Sequence, residues 1–170
     1  RRPLDWAFLV FFFVNLTFIT YIVDLEQLVI ADPAAFEPPL WPPPPLVDLV
    51  HWWARTFDPL QWARPVWWQM TIWIDVLFFG PFYAVALYAY ARGRDWIRMI
   101  SVVWASVMMT NVTIILGEEF MGPHATPERF MVTLANLPWL LFPLLVLWRM
   151  WHSEHPFTEE VSATKPSAAV

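Results

Sequence analysis

Trp67–Ala91, WWQMTIWIDVLFFGPFYAVALYAYA, is twenty-five residues long and contains one charged residue, Asp75. That length is enough to cross a bilayer as a helix. An ionised carboxylate inside such a helix costs about 2.5–3.5 kcal/mol on insertion scales. A helix that only had to cross would carry Leu there. Asp75 is therefore either a functional group or one half of a structural hydrogen-bond pair, and the segment as a whole sets the class: an integral membrane protein.

Charge-poor runs recur at Trp6–Val23, Val66–Ala91, Ile97–Leu116 and Phe130–Trp148. Each has roughly the 18–26 residues that a transmembrane helix needs. The chain is 58% hydrophobic and 15% charged, where a soluble domain would carry about 25% charged residues. The predicted fold is an all-α bundle of four transmembrane helices over residues 1–151, followed by a polar tail, 152–170. The first run is too long for a signal peptide and lacks its small-residue cleavage site. With no cysteine, disulfides, thiolate chemistry and Cys-based metal sites are excluded. A net charge of −5 with scattered basic residues gives no support to nucleic-acid binding.

Seven of the ten basic residues, Arg1, Arg2, Arg92, Arg94, Arg98, Arg149 and Lys165, fall on one side of the predicted topology. By the positive-inside rule that side, with both termini, is cytoplasmic. The membrane is a bacterial inner membrane or a eukaryotic endomembrane. The first outer loop, about 31–65, opens with Pro33, Pro38, Pro39 and Pro42–Pro45, an extended stretch. Leu46–Phe57 then reads as a short amphipathic helix, with Leu46, Leu49, Val50, Trp53 and Phe57 on the apolar face. It lies on the membrane surface or caps the bundle.

A rise of 1.5 Å per residue places Asp75 about 12 Å below the outer start of helix 2. Asp24 lies near the outer end of helix 1. Thr110, Asn111 and Thr113 lie within two turns of the outer end of helix 3, and Asn136 within two turns of the start of helix 4. Every helix thus contributes a strong polar group to the outer half of the bilayer, and such groups need partners inside the bundle. Glu26 and His51 read as interfacial. Pro81 and Pro143 each free a carbonyl, of Leu77 and Trp139 respectively, and are expected to kink their helices. Of the thirteen tryptophans, those at helix ends form an interfacial belt; Trp73, Trp104 and Trp139 lie deeper, as core, lipid contact or pocket wall. Two aspartates in contact in a low dielectric cannot both stay ionised and titrate as a unit. Such a pair can anchor a cationic amine or exchange protons with an alkene. His124 near Glu118 and Glu119 matches no metal-ligand spacing, so no metal and no cofactor are expected.

Several segments resemble the EXPERA family and are most similar to its sigma-2 receptor branch. They are VDLEQL (Val23–Leu28), FDPLQ (Phe57–Gln61), RPVW (Arg64–Trp67), DVLFFGPFYAVALYAYARG (Asp75–Gly93), WIR (Trp96–Arg98), MTN (Met109–Asn111) and NLPWLLFP (Asn136–Pro143). The resemblance implies a cavity that binds a lipid or sterol-like or cationic amphiphilic ligand, faced by Asp24 and Asp75, with Thr110, Asn111, Asn136 and Trp139 at pocket positions. Tyr21 completes the expected ligand-binding set. Asp58 matches a loop aspartate of structural role. The sterol isomerases of the family carry a His and a Glu four residues apart on helix 2 and a Glu on helix 3. The corresponding residues here are Asp75, Phe79 and the uncharged run Met108–Asn111, which argues against that reaction and leaves no catalytic residues assigned. Two alternatives stand beside the binding reading: an isomerase using Asp24 and Asp75 themselves, and a non-catalytic accessory subunit of a larger membrane complex. Partners in that last case, or a second copy in a homodimer, would contact the tail and the Trp-rich surface.

Overall fold

A computed structural model describes residues 3–158. Among them every regular element is helical. Four helices are long and apolar enough to span a membrane: α1 (Pro3–Val29), α4 (Val66–Arg92), α5 (Asp95–Met121) and α6 (Arg129–Trp151). Two short helices, α2 (Pro44–Thr56) and α3 (Pro59–Ala63), lie between α1 and α4.

Local chemistry explains the boundaries. Pro44 opens α2, where its missing N–H would be unpaired anyway. Asp58 caps α3, accepting from the Gln61 amide at 2.8 Å. Arg64 ends α3 in the left-handed region at φ 48°, and Pro65 then leads into α4. Gly93 closes α4 at φ 62°, a conformation a glycine adopts freely.

α1 packs on α4, and α5 on α6. Their shared core is aromatic and centred away from the α2–α3 end. Phe11 stacks on Phe142 at 4.2 Å and Phe82 on Trp104 at 4.9 Å, and Phe8, Phe12, Tyr83 and Tyr90 pack around them. The outer surface of the spans is also apolar, with Val10, Phe13, Leu77, Val103, Leu141 and Trp148 exposed, as lipid contact requires.

α2 caps the bundle. Its buried stripe is Val47, Val50, His51 and Ala54, rotated from the expected face, so that Leu49 is exposed and Trp53 half-buried, both bordering the cavity at this end of the bundle. α6 runs through both of its prolines: Leu137, between Arg129–Asn136 and Pro138–Trp151, keeps helical geometry at φ −54° and ψ −41°, its amide donating to the Thr133 carbonyl at 2.9 Å, and Pro143 also sits inside the helix. At the opposite end Arg149 pairs with Asp5, and both are buried. The described part of the tail docks there: Phe157 lies under the Arg149 guanidinium at 4.5 Å, and its amide donates to Asp95 at 2.8 Å. The tail beyond Thr158 lies outside the described residues.

Candidate functional site

The site grows out of two stretches of unusually wide helical turns. Asn15–Asp24 in α1 and Asp75–Phe79 in α4 are π-helical. Such turns are rare and concentrate at functional sites. Asp24 ends the first stretch and Asp75 begins the second, and the two carboxyls are close neighbours on one cavity. Thr20 Oγ1 donates to Asp75 Oδ1 at 2.5 Å. Both aspartates are buried.

Gly80 makes this approach of α1 to α4 possible. A Cβ there would lie 2.6 Å from Tyr21 Oη and 3.0 Å from Thr20 Cγ2. The wide turn also changes which carbonyl Pro81 leaves free. The Gly80 amide reaches back to the Asp75 carbonyl, so the next position in that register is Val76, and Tyr21 Oη donates to the Val76 carbonyl at 3.4 Å. The carbonyl expected from a regular helix was that of Leu77.

Asp24 and Asp75 border a cavity of about 360 Å³. Trp68, Phe79, Met108, Trp139 and, from the cap, Trp53 give it an apolar wall. Polar groups converge on it from every span: Gln27 from α1, Thr71 from α4, Asn111 from α5 and Asn136 from α6, with Gln61 and Asp58 from the cap. None of these lining residues is Lys, Arg or His. Of the set expected to face a ligand, Asp24, Asp75, Asn111, Asn136 and Trp139 are brought together on the cavity. Tyr21 lies behind it, against Gly80, and Thr110 is exposed on the outer face of α5, its hydroxyl donating to the Ser106 carbonyl at 2.9 Å. Trp104 is wholly buried in the core and Trp73 is exposed on the outer surface.

The sequence reading missed several groups. Gln27 is three residues beyond Asp24, on the same helix face, and its Oε1 accepts from Trp68 Nε1 at 2.6 Å. Glu119, read as part of an acidic loop, is fully buried in the last turn of α5 and meets the Asp58 carboxyl. Burial pushes the Asp58 carboxyl above the usual carboxylate range, while contacts with Glu119, the Gln61 amide and Trp53 act the other way.

Glu26 and His51, expected at the interface, are both buried. Arg64 Nη2 donates to the two carboxylate oxygens of Glu26 at 3.0 and 2.8 Å, His51 Nε2 lies 2.7 Å from Glu26 Oε1, and Arg64 Nη1 donates to the Ile30 carbonyl. This bidentate pair ties the cap to the end of α1. His124 contacts Glu118 at 2.8 Å, and among the described residues no group of three or more candidate ligands could hold a metal ion.

Four apolar spans, a capping loop and a polar layer between the helices define an integral, multi-pass helical membrane protein. The chain belongs to the EXPERA (EXPanded EBP superfamily) family, whose model matches residues 45–150. It is 30% identical over 170 residues to sigma intracellular receptor 2 of Xenopus tropicalis, covering 94% of each chain. It is 27% identical over 176 residues to sigma intracellular receptor 2 of Macaca fascicularis and of Homo sapiens, again covering 94% of each chain. The family match begins after α1, so Asp24 is reached only by these longer pairwise similarities.

Proposed function

We propose that the cavity beneath the α2–α3 cap binds a membrane-soluble amphiphile, lipid or sterol-like in its body and cationic in its polar group, with Asp75 and Asp24 as the anchor. The observation that carries this reading is a buried carboxyl pair on an aromatic cavity whose lining holds no basic side chain. A carboxyl buried for structure alone normally has a cation or a full set of donors. Here a ligand amine would supply the missing charge, and the Trp53, Trp68 and Trp139 rings would take the apolar body. The relatives are named as receptors, which agrees with a binding role. The basic residues at the termini and at Arg92, Arg94 and Arg98 support, by the positive-inside rule, an orientation with both chain ends cytoplasmic and the cap opposite.

The test is direct binding of a radiolabelled cationic amphiphile to the purified protein in lipid nanodiscs. Asp75→Asn is expected to abolish binding while the thermal unfolding profile persists; unchanged binding would sink the anchor role.

The contact between the two carboxyls favours a second reading, an isomerase that moves a double bond by protonating one carbon and deprotonating another. It predicts exchange of solvent deuterium into a bound alkene, and no incorporation would end it.

A further inference from the structure

The main packing partner of α1 is α4, and that of α5 is α6. Between α1 and α6 runs a groove of about 550 Å³. Its walls are apolar: Trp6, Val10 and Val14 from α1, Pro138 and Phe142 from α6. Both walls belong to membrane spans, so the groove faces hydrocarbon. From Trp6 to Ile19 it extends about 20 Å along the α1 axis, longer than half the hydrocarbon core of a bilayer.

The groove and the cavity beside Asp75 share two residues, Ile19 and Trp139. At that junction Trp139 Nε1 donates to Asn15 Oδ1 at 2.8 Å, and Asn15 Nδ2 donates to the Phe11 carbonyl at 2.8 Å. Asn15 is 2% exposed. A buried amide at this depth is expensive unless paired, and its cross-helix partner is one of the two residues that line both spaces. Trp139 follows directly on Pro138, whose missing N–H removes one intrahelical hydrogen bond from α6 at this level.

We propose that the α1–α6 groove is a subsite for the hydrocarbon tail of the amphiphile whose polar head occupies the cavity, reached from the bilayer past the Asn15–Trp139 hydrogen bond. This rests on the binding role given to the cavity above. Lipid chains already fill any groove in a bilayer, so the subsite adds little transfer free energy. Its effect is to fix where the tail lies and how fast the ligand enters and leaves.

The experiment uses the full chain in nanodiscs and a hexadecylamine carrying a diazirine at the far end of its chain. Photolysis is expected to label peptides from the α1 and α6 walls of the groove, and excess octylamine, which competes for the head position alone, is expected to remove that label. Label spread evenly over the lipid-facing surfaces, or left untouched by octylamine, would overturn the tail subsite. Octylamine-sensitive label that survives in Asp75→Asn would overturn the head position instead, and so separates the two failures. A photo-induced link between two copies of the chain would assign the groove to a homotypic contact and overturn the proposal.

Trp139→Phe keeps a ring at the junction and removes the donor; Asn15→Ala removes the acceptor. Each is expected to raise the association and dissociation rates together by about fivefold, the equivalent of one buried hydrogen bond, with a smaller change in Kd. Rates that stay fixed while the protein only loses stability would reduce the bond to a structural one.

Discussion

Two acidic constellations leave the end of α1 two residues apart and meet opposite treatment. Glu26 is fully buried with a bidentate arginine and a histidine on its carboxylate. Asp24 is buried against another carboxyl. The first set closes on itself: its charge is balanced, its lone pairs are filled, and it fastens the cap to the bundle. The second is left open on the side of the cavity. Buried charge of the first kind is architecture, and its removal should be felt in stability. Carboxyls of the second kind have no cation to balance them, so their loss should be felt in binding.

Four substitutions test that division, ordered by their effect on stability. Arg64→Met strands the Glu26 charge inside the protein and is expected to cost about 3–5 kcal/mol, read as a large fall in unfolding temperature in detergent. A small fall would mean that the balanced set is not what holds the cap. Gly80→Ala forces the Tyr21 ring away from α4 and is expected to cost about 1–3 kcal/mol, with loss of ligand binding because Thr20 and Asp24 move with α1. Intact binding would show that the close approach of the two helices is dispensable.

Asp58→Asn addresses the second acidic contact. Burial raises the folded pKa of Asp58 above its unfolded value, so the folded state holds that proton longer. Stability therefore falls as pH rises from about 3.9 through the raised folded value. Asn still caps α3, and the variant should lose that part of the pH slope while matching the parent at low pH. An identical pH profile would show that Asp58 does not titrate with folding. Asp75→Asn should have the smallest effect on unfolding, within about 1 kcal/mol, because an amide oxygen can still accept from Thr20. A large loss would move Asp75 to the architectural side of the comparison.

The sequence carries all four spans, the second almost to the residue: the run Val66–Ala91 became Val66–Arg92, while the helices of the first and third runs, Pro3–Val29 and Asp95–Met121, extend several residues beyond Val23 and Leu116, because the free energy of insertion depends on apolar composition over a length and a helix can continue past it. Asp75 was legible for the same reason, as a lone charge in such a run. Glu26, His51 and Glu119 were not. Each stands where a chain leaves the membrane, and there an interfacial side chain and a buried, paired one have the same local sequence; only the fold of residues 31–65 over the bundle decides. The wide turns were invisible too, since no propensity marks them. They moved the effect of Pro81 by one carbonyl and turned Tyr21 away from the cavity. The expected polar layer was legible in Asp24, Asn111 and Asn136, whereas Thr110, the immediate neighbour of Asn111, faces outward by the rotation of a single residue.

The Asp5–Arg149 pair at the far end of the bundle joins residues 144 apart in sequence. The stacked rings of Phe11 and Phe142 span nearly the same separation. Chains are made from the N-terminus, so α1 is in the membrane long before either partner exists. Until α6 arrives, Asp5 waits unpaired and the aromatic core has an open side. Completion of the bundle is therefore a post-insertion event. A chain cut short before α6 would keep an unpaired acid and an unpacked aromatic face that the finished protein buries.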